Sequence, residues 1–107
     1  AAGLPPFTHL ALLRAEARRV DAATAFLRDA AELATQLPGA DQASVYPPVP
    51  PPVSRVAGIE RVQMLVESHS RGALQRLLAA WVPALHALRG THKGLTRWAI
   101  DVDPLAI

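Results

Sequence analysis

Along residues 97–103 hydrophobic and polar positions alternate without a fault: Trp98, Ile100 and Val102 fall on one side, Arg97, Ala99, Asp101 and Asp103 on the other. A period of two marks a half-buried strand, and Pro104, which has no N–H to donate, stops it. Residues 61–67 repeat the pattern, with Val62, Met64 and Val66 inward and Arg61, Gln63, Leu65 and Glu67 outward. A further strand is predicted over residues 7–16, its outer side formed by Thr8, Leu10, Leu12, Arg14 and Glu16. It follows an extended Leu4-Pro5-Pro6 lead-in, since each proline bars helix for the residue before it. Arg18 and Arg19 fall in the turn after that strand.

Two stretches change to the helical period. After Asp21, a residue suited to an N-cap, Ala23, Phe26, Leu27, Ala30, Leu33, Ala34 and Leu37 form one apolar stripe. Arg28, Asp29, Glu32 and Gln36 take the wet face, and Pro38-Gly39 is the stop. After Ser70 a second stripe runs through Leu74, Leu77, Leu78, Trp81, Leu85 and Leu88. Pro83 lies inside it and is expected to kink the helix or end its first part, because it removes a backbone hydrogen bond. Gly90 and Gly94 bracket the turn into the final strand. Ser44-Val45-Tyr46 reads as a short edge strand, cut off where five of residues 47–52 are proline. Such a run cannot lie inside a sheet, so it reads as a stiff connector rather than as a polyproline ligand for another protein.

In order, the elements are strand, helix, strand, strand, helix, strand. This is the split βαβ or ferredoxin-like plan: an α+β sandwich with a four-stranded, mainly antiparallel sheet and two helices on one face. The 107 residues make a single domain, long enough to bury a core without staples. With 50% hydrophobic and 19% charged residues the chain has the balance of a folded protein. The absence of cysteine excludes disulfides and thiolate metal sites and suits a reducing cytoplasm. No apolar run approaches the ~18 residues of a membrane span. The opening Ala-Ala-Gly, without Met, points to a piece of a longer protein.

Catalysis is mostly excluded by missing parts. Gly90-Thr91-His92-Lys93-Gly94 has the letters of a phosphate-binding loop but neither its spacing nor a preceding strand. His9, His69, His86 and His92 are scattered without metal-ligand spacing. Asp101 and Asp103 share one side of a strand, as a two-metal site would want, yet pairing with the first strand would bring them near Phe7, Thr8 and His9, which supply no third carboxylate. A solvated strand end, with Arg61 as ion-pair partner, is the expectation.

The sheet face away from the helices should be partly open. Its outer positions carry no predicted aromatic for stacking bases; they carry Arg14, Arg61 and Arg97 interleaved with Glu16, Glu67, Asp101 and Asp103. Arg14, Glu16, Glu67 and Arg97 are expected to gather at one end and pair among themselves. The net charge is +2, with ten of the eleven basic residues Arg. Any contact with DNA would therefore be directed at phosphates and sensitive to salt, through Arg18, Arg19, Arg55 and Arg61. The start of the second helix is more informative. Arg71 stands in its first turn, where a cation is unfavourable by up to ~1 kcal/mol, and Gln75 shares its face one turn on. A guanidinium beside an amide suits a carboxylate or phosphate; the plain alternative is an Arg reaching to water or to Glu67.

These stretches carry a family resemblance. Pro5-Pro6-Phe7, Leu13-Arg14-Ala15-Glu16, Pro48-Val49-Pro50, Arg61-Val62-Gln63, Ser70-Arg71 with Leu74-Gln75, and above all the closing Trp98-Ala99-Ile100-Asp101-Val102-Asp103-Pro104 resemble the C-terminal domain of the PriA family, the primosomal replication-restart helicases of bacteria. The match runs through the whole chain, although the long proline run and the alanine-rich helices depart from the expected pattern. The resemblance implies the terminal, non-catalytic module of an ATP-dependent 3′→5′ DNA helicase. ATP, magnesium and zinc would belong to lobes upstream, with no cofactor in this domain. It also implies partners: forked or single-stranded DNA, the acidic C-terminal tail of single-stranded DNA-binding protein, primosome proteins and the parent's own helicase lobes, but no membrane. The family's tail-contacting Arg and Gln fall on Arg71 and Gln75. The competing reading is a stand-alone ferredoxin-like regulatory module whose sheet face mediates protein contacts.

Overall fold

A computed structural model describes residues 8–50 and 55–102. The elements are β1 (His9–Ala17), α1 (Val20–Ala34), a 3-10 turn (Ala40–Gln42), β2 (Ala43–Val45), β3 (Arg55–Val56), β4 (Ile59–Ser68), α2 (Arg71–Arg89) and β5 (Leu95–Val102). The strands lie in the order β2-β4-β1-β5, all antiparallel, with β3 also paired to β4. With both helices on one face this is the ferredoxin-like α+β arrangement, enlarged by one short strand.

Alternation in β1 decides which way the sheet faces. Ala11, Leu13, Ala15 and Ala17 are buried under the helices, whereas Leu10, Leu12, Arg14 and Glu16 stay half-exposed on the other face. Val62, Met64 and Val66 do the same on β4. Three of the inward residues on β1 are alanines, so the helices come close, and their largest side chains fill the space. Phe26 on α1 and Trp81 on α2 are both fully buried. The Trp81 indole N–H donates to the carbonyl of Ala30 at 2.9 Å, tying the helices together across the core. Phe26 also stacks on Trp98 of β5, with ring centroids 6.4 Å apart, and His86 meets Trp98 edge-on at 4.9 Å. Trp98 thus points toward the helices, as its place in the alternation requires.

Several local expectations are revised. Asp21 does not cap α1: the cap position is Arg19, without a side-chain bond, and Asp21 lies in the first turn 3.8 Å from the Arg19 guanidinium. A carboxylate there still complements the positive end of the helix. α1 ends at Ala34 rather than near Leu37, because the N–H groups of Thr35, Gln36 and Leu37 bond three residues back in 3-10 fashion. Leu33, placed in the apolar stripe, is 37% exposed, while Leu37 still packs against the core. α2 continues through Pro83 to Arg89 as one helix.

β3 was not foreseen. The turn between it and β4 places Ala57 and Gly58 at φ 52° and 80°, the left-handed geometry that joins tightly paired strands. The edge of β4 is therefore shared by three pieces: β2, a single bridge from Val49 to Gln63, and β3. Pro47, Pro48 and Pro50 flank that bridge, so residues 47–50 run along the sheet margin. Phe7 and Pro51 to Pro52, like Asp103 and Pro104, lie outside the described residues. At the other margin, no described strand pairs with the outer side of β5.

Two small residues fasten β4 and the 3-10 turn to α2. The Ser68 hydroxyl, 2% exposed, donates to the Gln42 carbonyl at 2.6 Å and accepts from the Ser70 N–H at 3.0 Å. Gly39 has φ 86°, and a Cβ added there would stand 2.2 Å from the Ala73 carbonyl oxygen of α2. Gly39→Ala should therefore lower stability by about 2–4 kcal/mol, since left-handed strain and a backbone clash act together. The midpoint of urea unfolding reads this; a midpoint within error of the parent's would refute the close approach.

Candidate binding ends of the sheet

The two groups of side chains singled out from the sequence lie at opposite ends of β1. At the end where β1 starts, Ser70 has extended backbone and its hydroxyl accepts from the Ala73 N–H at 3.1 Å, which starts α2. Arg71 and Gln75 project from the first turns of that helix, and both are exposed. They line one cleft of about 50 Å³ between α2 and the sheet, with Leu74, Leu78, Val102, His9 and Leu10 as the other walls. The structure thus brings Arg71 and Gln75 together. Among the described residues no acidic side chain lines the cleft and no carboxylate forms an ion pair with Arg71. Glu67, the partner considered for it, instead accepts a hydrogen bond from the Tyr46 hydroxyl.

His9 is a wall of this cleft that the sequence reading passed over as one of four scattered histidines. Its signal was the register: His9 shares the parity of Ala11 and Leu13, which puts it on the helix side of the sheet, facing α2.

At the other end, Glu16 stands opposite Arg61 on β4 and opposite Arg97 on β5. Ala17 faces Glu60, and Glu60 in turn pairs with Arg55 on β3, 3.2 Å from its guanidinium. Arg18 and Arg19 leave β1 from the same place. Arg18, Arg19, Arg55 and Arg61 therefore share one end of the sheet. Arg55 belongs to a strand rather than a loop, and its charge is partly engaged by Glu60. The Arg19–Asp21 pair is more than 80% exposed on both sides and contributes little.

Of the expected group Arg14, Glu16, Glu67 and Arg97, the register brings Glu16 opposite Arg97 near Arg14 but leaves Glu67 apart, and among the described residues no ion pair joins any two of the four. β1 and β4 are antiparallel, so Glu67, late in β4, faces Leu10 at the opposite end from Glu16. Arg14 pairs with Asp101, whose register partner is Leu12, so Asp101 meets neither Arg61 nor the first residues of β1. Among the described residues no three His, Asp or Glu side chains group as metal ligands would, and no helix is long and apolar enough to cross a membrane.

The open face also holds an aromatic residue where none was expected. Val45 faces Val66 and points inward, so Ser44 and Tyr46 point outward. The alternation of Ser44-Val45-Tyr46 already contained this. Tyr46 is 42% exposed beside half-buried Leu65 and Leu12. The hydrogen bond to Glu67 raises the Tyr46 phenol above its ordinary value of 10.0, with desolvation and the Glu67 charge adding to the rise.

Comparison with known proteins gives a coherent result. Residues 1–105 match the family described as the primosomal protein N C-terminal domain. The chain is 36% identical over 104 residues to the replication restart protein PriA of Haemophilus influenzae, covering 95% of this chain and 13% of that protein. Among solved structures it is similar to the de novo designed protein Foldit4, with TM-score 0.60 and 10% identity over 90% of this chain and 93% of that one. It is also similar to an amidase of the hydantoinase/carbamoylase family from Burkholderia multivorans, with TM-score 0.57 and 18% identity over 90% of this chain and 27% of that one. At such identities the structural likenesses report the fold alone.

Removing the Glu67 carboxylate tests the contact on the open face. In Glu67→Ala the Tyr46 phenol should titrate lower, back toward 10, because the group favouring its protonated form is gone. In the parent the hydrogen bond holds while the phenol is protonated and is lost as pH rises through the raised value. Ultraviolet difference titration of this single tyrosine reads the shift; coincident curves would remove the contact.

Proposed function

The chain belongs to the primosomal protein N C-terminal domain family, and from that premise we propose that it is the non-catalytic C-terminal module of an ATP-dependent 3′→5′ replication-restart helicase. It spans 13% of the length of the Haemophilus influenzae relative, so ATP turnover and strand separation are assigned to lobes outside these residues. Its own part is to help hold DNA at stalled forks and to help dock the acidic C-terminal tail of single-stranded DNA-binding protein.

The observation that carries this reading is the separation of two cationic sites by the length of β1. His9 and Ala17, at its two ends, are about 26 Å apart in extended chain. At one end, a cleft that mixes Arg71 and Gln75 with Leu74, Leu78 and Val102 suits a peptide with both carboxylates and apolar groups. The guanidinium forms charge-assisted hydrogen bonds, and the leucines take the apolar part. At the other end, Arg18, Arg19, Arg55 and Arg61 are spread over a turn and two strands, an arrangement suited to a row of phosphates rather than to one compact ligand. The helicase lobes supply the rest of the tail pocket, so the isolated domain should hold the tail weakly.

In the full-length parent, Arg71→Ala should weaken binding of the acidic tail by about tenfold while far-ultraviolet circular dichroism stays unchanged. Fluorescence anisotropy with a labelled tail peptide measures it, and an unaltered affinity means that Arg71 and Gln75 are not the docking site. Arg61→Ala should weaken DNA binding about equally for all sequences and reduce the slope of log affinity against log salt by about 1. An unchanged slope would place the phosphates elsewhere.

A further inference from the structure

We propose that His9 is a third member of the Arg71–Gln75 site and makes that site grip acidic peptides more tightly as pH falls. This rests on the reading of the cleft as a tail-docking site and adds to it a residue and a regulation.

Geometry comes first. His9 opens β1 on the helix-facing side of the sheet, half-buried, in the same cleft as Arg71 and Gln75. Among the described residues no hydrogen bond or ion pair engages its ring. A neutral imidazole left without a partner at the mouth of a cleft adds little to a fold. When protonated beside a carboxylate it is a cationic donor, with both ring N–H groups able to bond.

The charged groups around it permit this role. From α2 the facing charge is Arg71. From β4 the register partner is Ser68, flanked by Glu67, which is held by Tyr46, and by His69, which is exposed. From β5 comes Val102, preceded by Asp101, which is held by Arg14. Among the described residues no carboxylate lines the cleft to neutralise an imidazolium. A carboxylate arriving with a ligand would therefore be its counter-charge, and binding would take up a proton. Leu74, Leu78 and Val102 complete the walls, so a peptide bearing apolar groups fits better than a sugar–phosphate backbone.

The test uses the full-length parent and a fluorescein-labelled, Asp-rich peptide with a free C-terminal carboxylate, at constant ionic strength. Between pH 8.0 and 5.5 the wild-type Kd should fall about 3- to 10-fold, the effect of adding one charge-assisted hydrogen bond at a partly exposed site. His9→Gln should flatten that profile, whereas His69→Gln should keep it. Calorimetry of the wild type in buffers of different ionisation enthalpy should show proton uptake on binding within that pH range, a readout that needs no variant. A flat wild-type profile, an unflattened His9→Gln profile or zero proton uptake overturns the role of His9. So does a His9→Gln variant that loses affinity for DNA but keeps the peptide's pH dependence. If Arg71→Ala leaves the peptide's Kd unchanged at pH 8.0, the docking site itself is wrong and the inference falls with it. If Arg71→Ala weakens binding and the profile is flat, only the inference falls.

Discussion

The whole arrangement depends on how little side chain β1 puts beneath the helices. Ala11, Ala15 and Ala17 are all buried, and among the inward residues of that strand only Leu13 is large. Helices resting on so shallow a surface can come close enough for Trp81 to reach the backbone of α1 and for Phe26 to reach Trp98. A larger residue at 11 or 15 would need both helices to move, because protein interiors have no slack of that size. β1, like β4, has hydrogen-bonded neighbours on both sides.

Most of this architecture was legible as pattern. The alternation of residues 61–67 and 97–102, the two apolar stripes and the Ser70 cap all report local geometry, and local geometry survived into the structure. What could not be read were features set by partners far along the chain. β3 is too short to have a period, and exists because Ala57 and Gly58 let the chain fold back on Ile59 and Glu60. The length of α1 was overestimated because Leu37 still packs on the core after the helix has tightened and ended.

The candidate sites divide in the same way. That Arg71 and Gln75 share a face follows from helical spacing, and the structure adds only the walls around them. The grouping of charges on the open face was misjudged, because it requires the register of two antiparallel strands and not merely their parity. With Glu16 opposite Arg61 and Glu67 opposite Leu10, charges that look adjacent in a list lie at far ends of the sheet. The distance has a physical meaning. At physiological salt, exposed charges are screened beyond ~8 Å, so occupancy of one end has little direct electrostatic effect on the other.

The prolines beside Val49 bear on how the molecule behaves among copies of itself. A row of molecules joined strand to strand needs two pairable borders on each unit, one to receive and one to offer. Here one border is broken into β2, a lone bridge and β3, with residues that cannot donate between them. Among the described strands only the β5 border is continuous. A unit with a single continuous border can join one neighbour and then stop, so at high local concentration the broken border opposes growth into fibres.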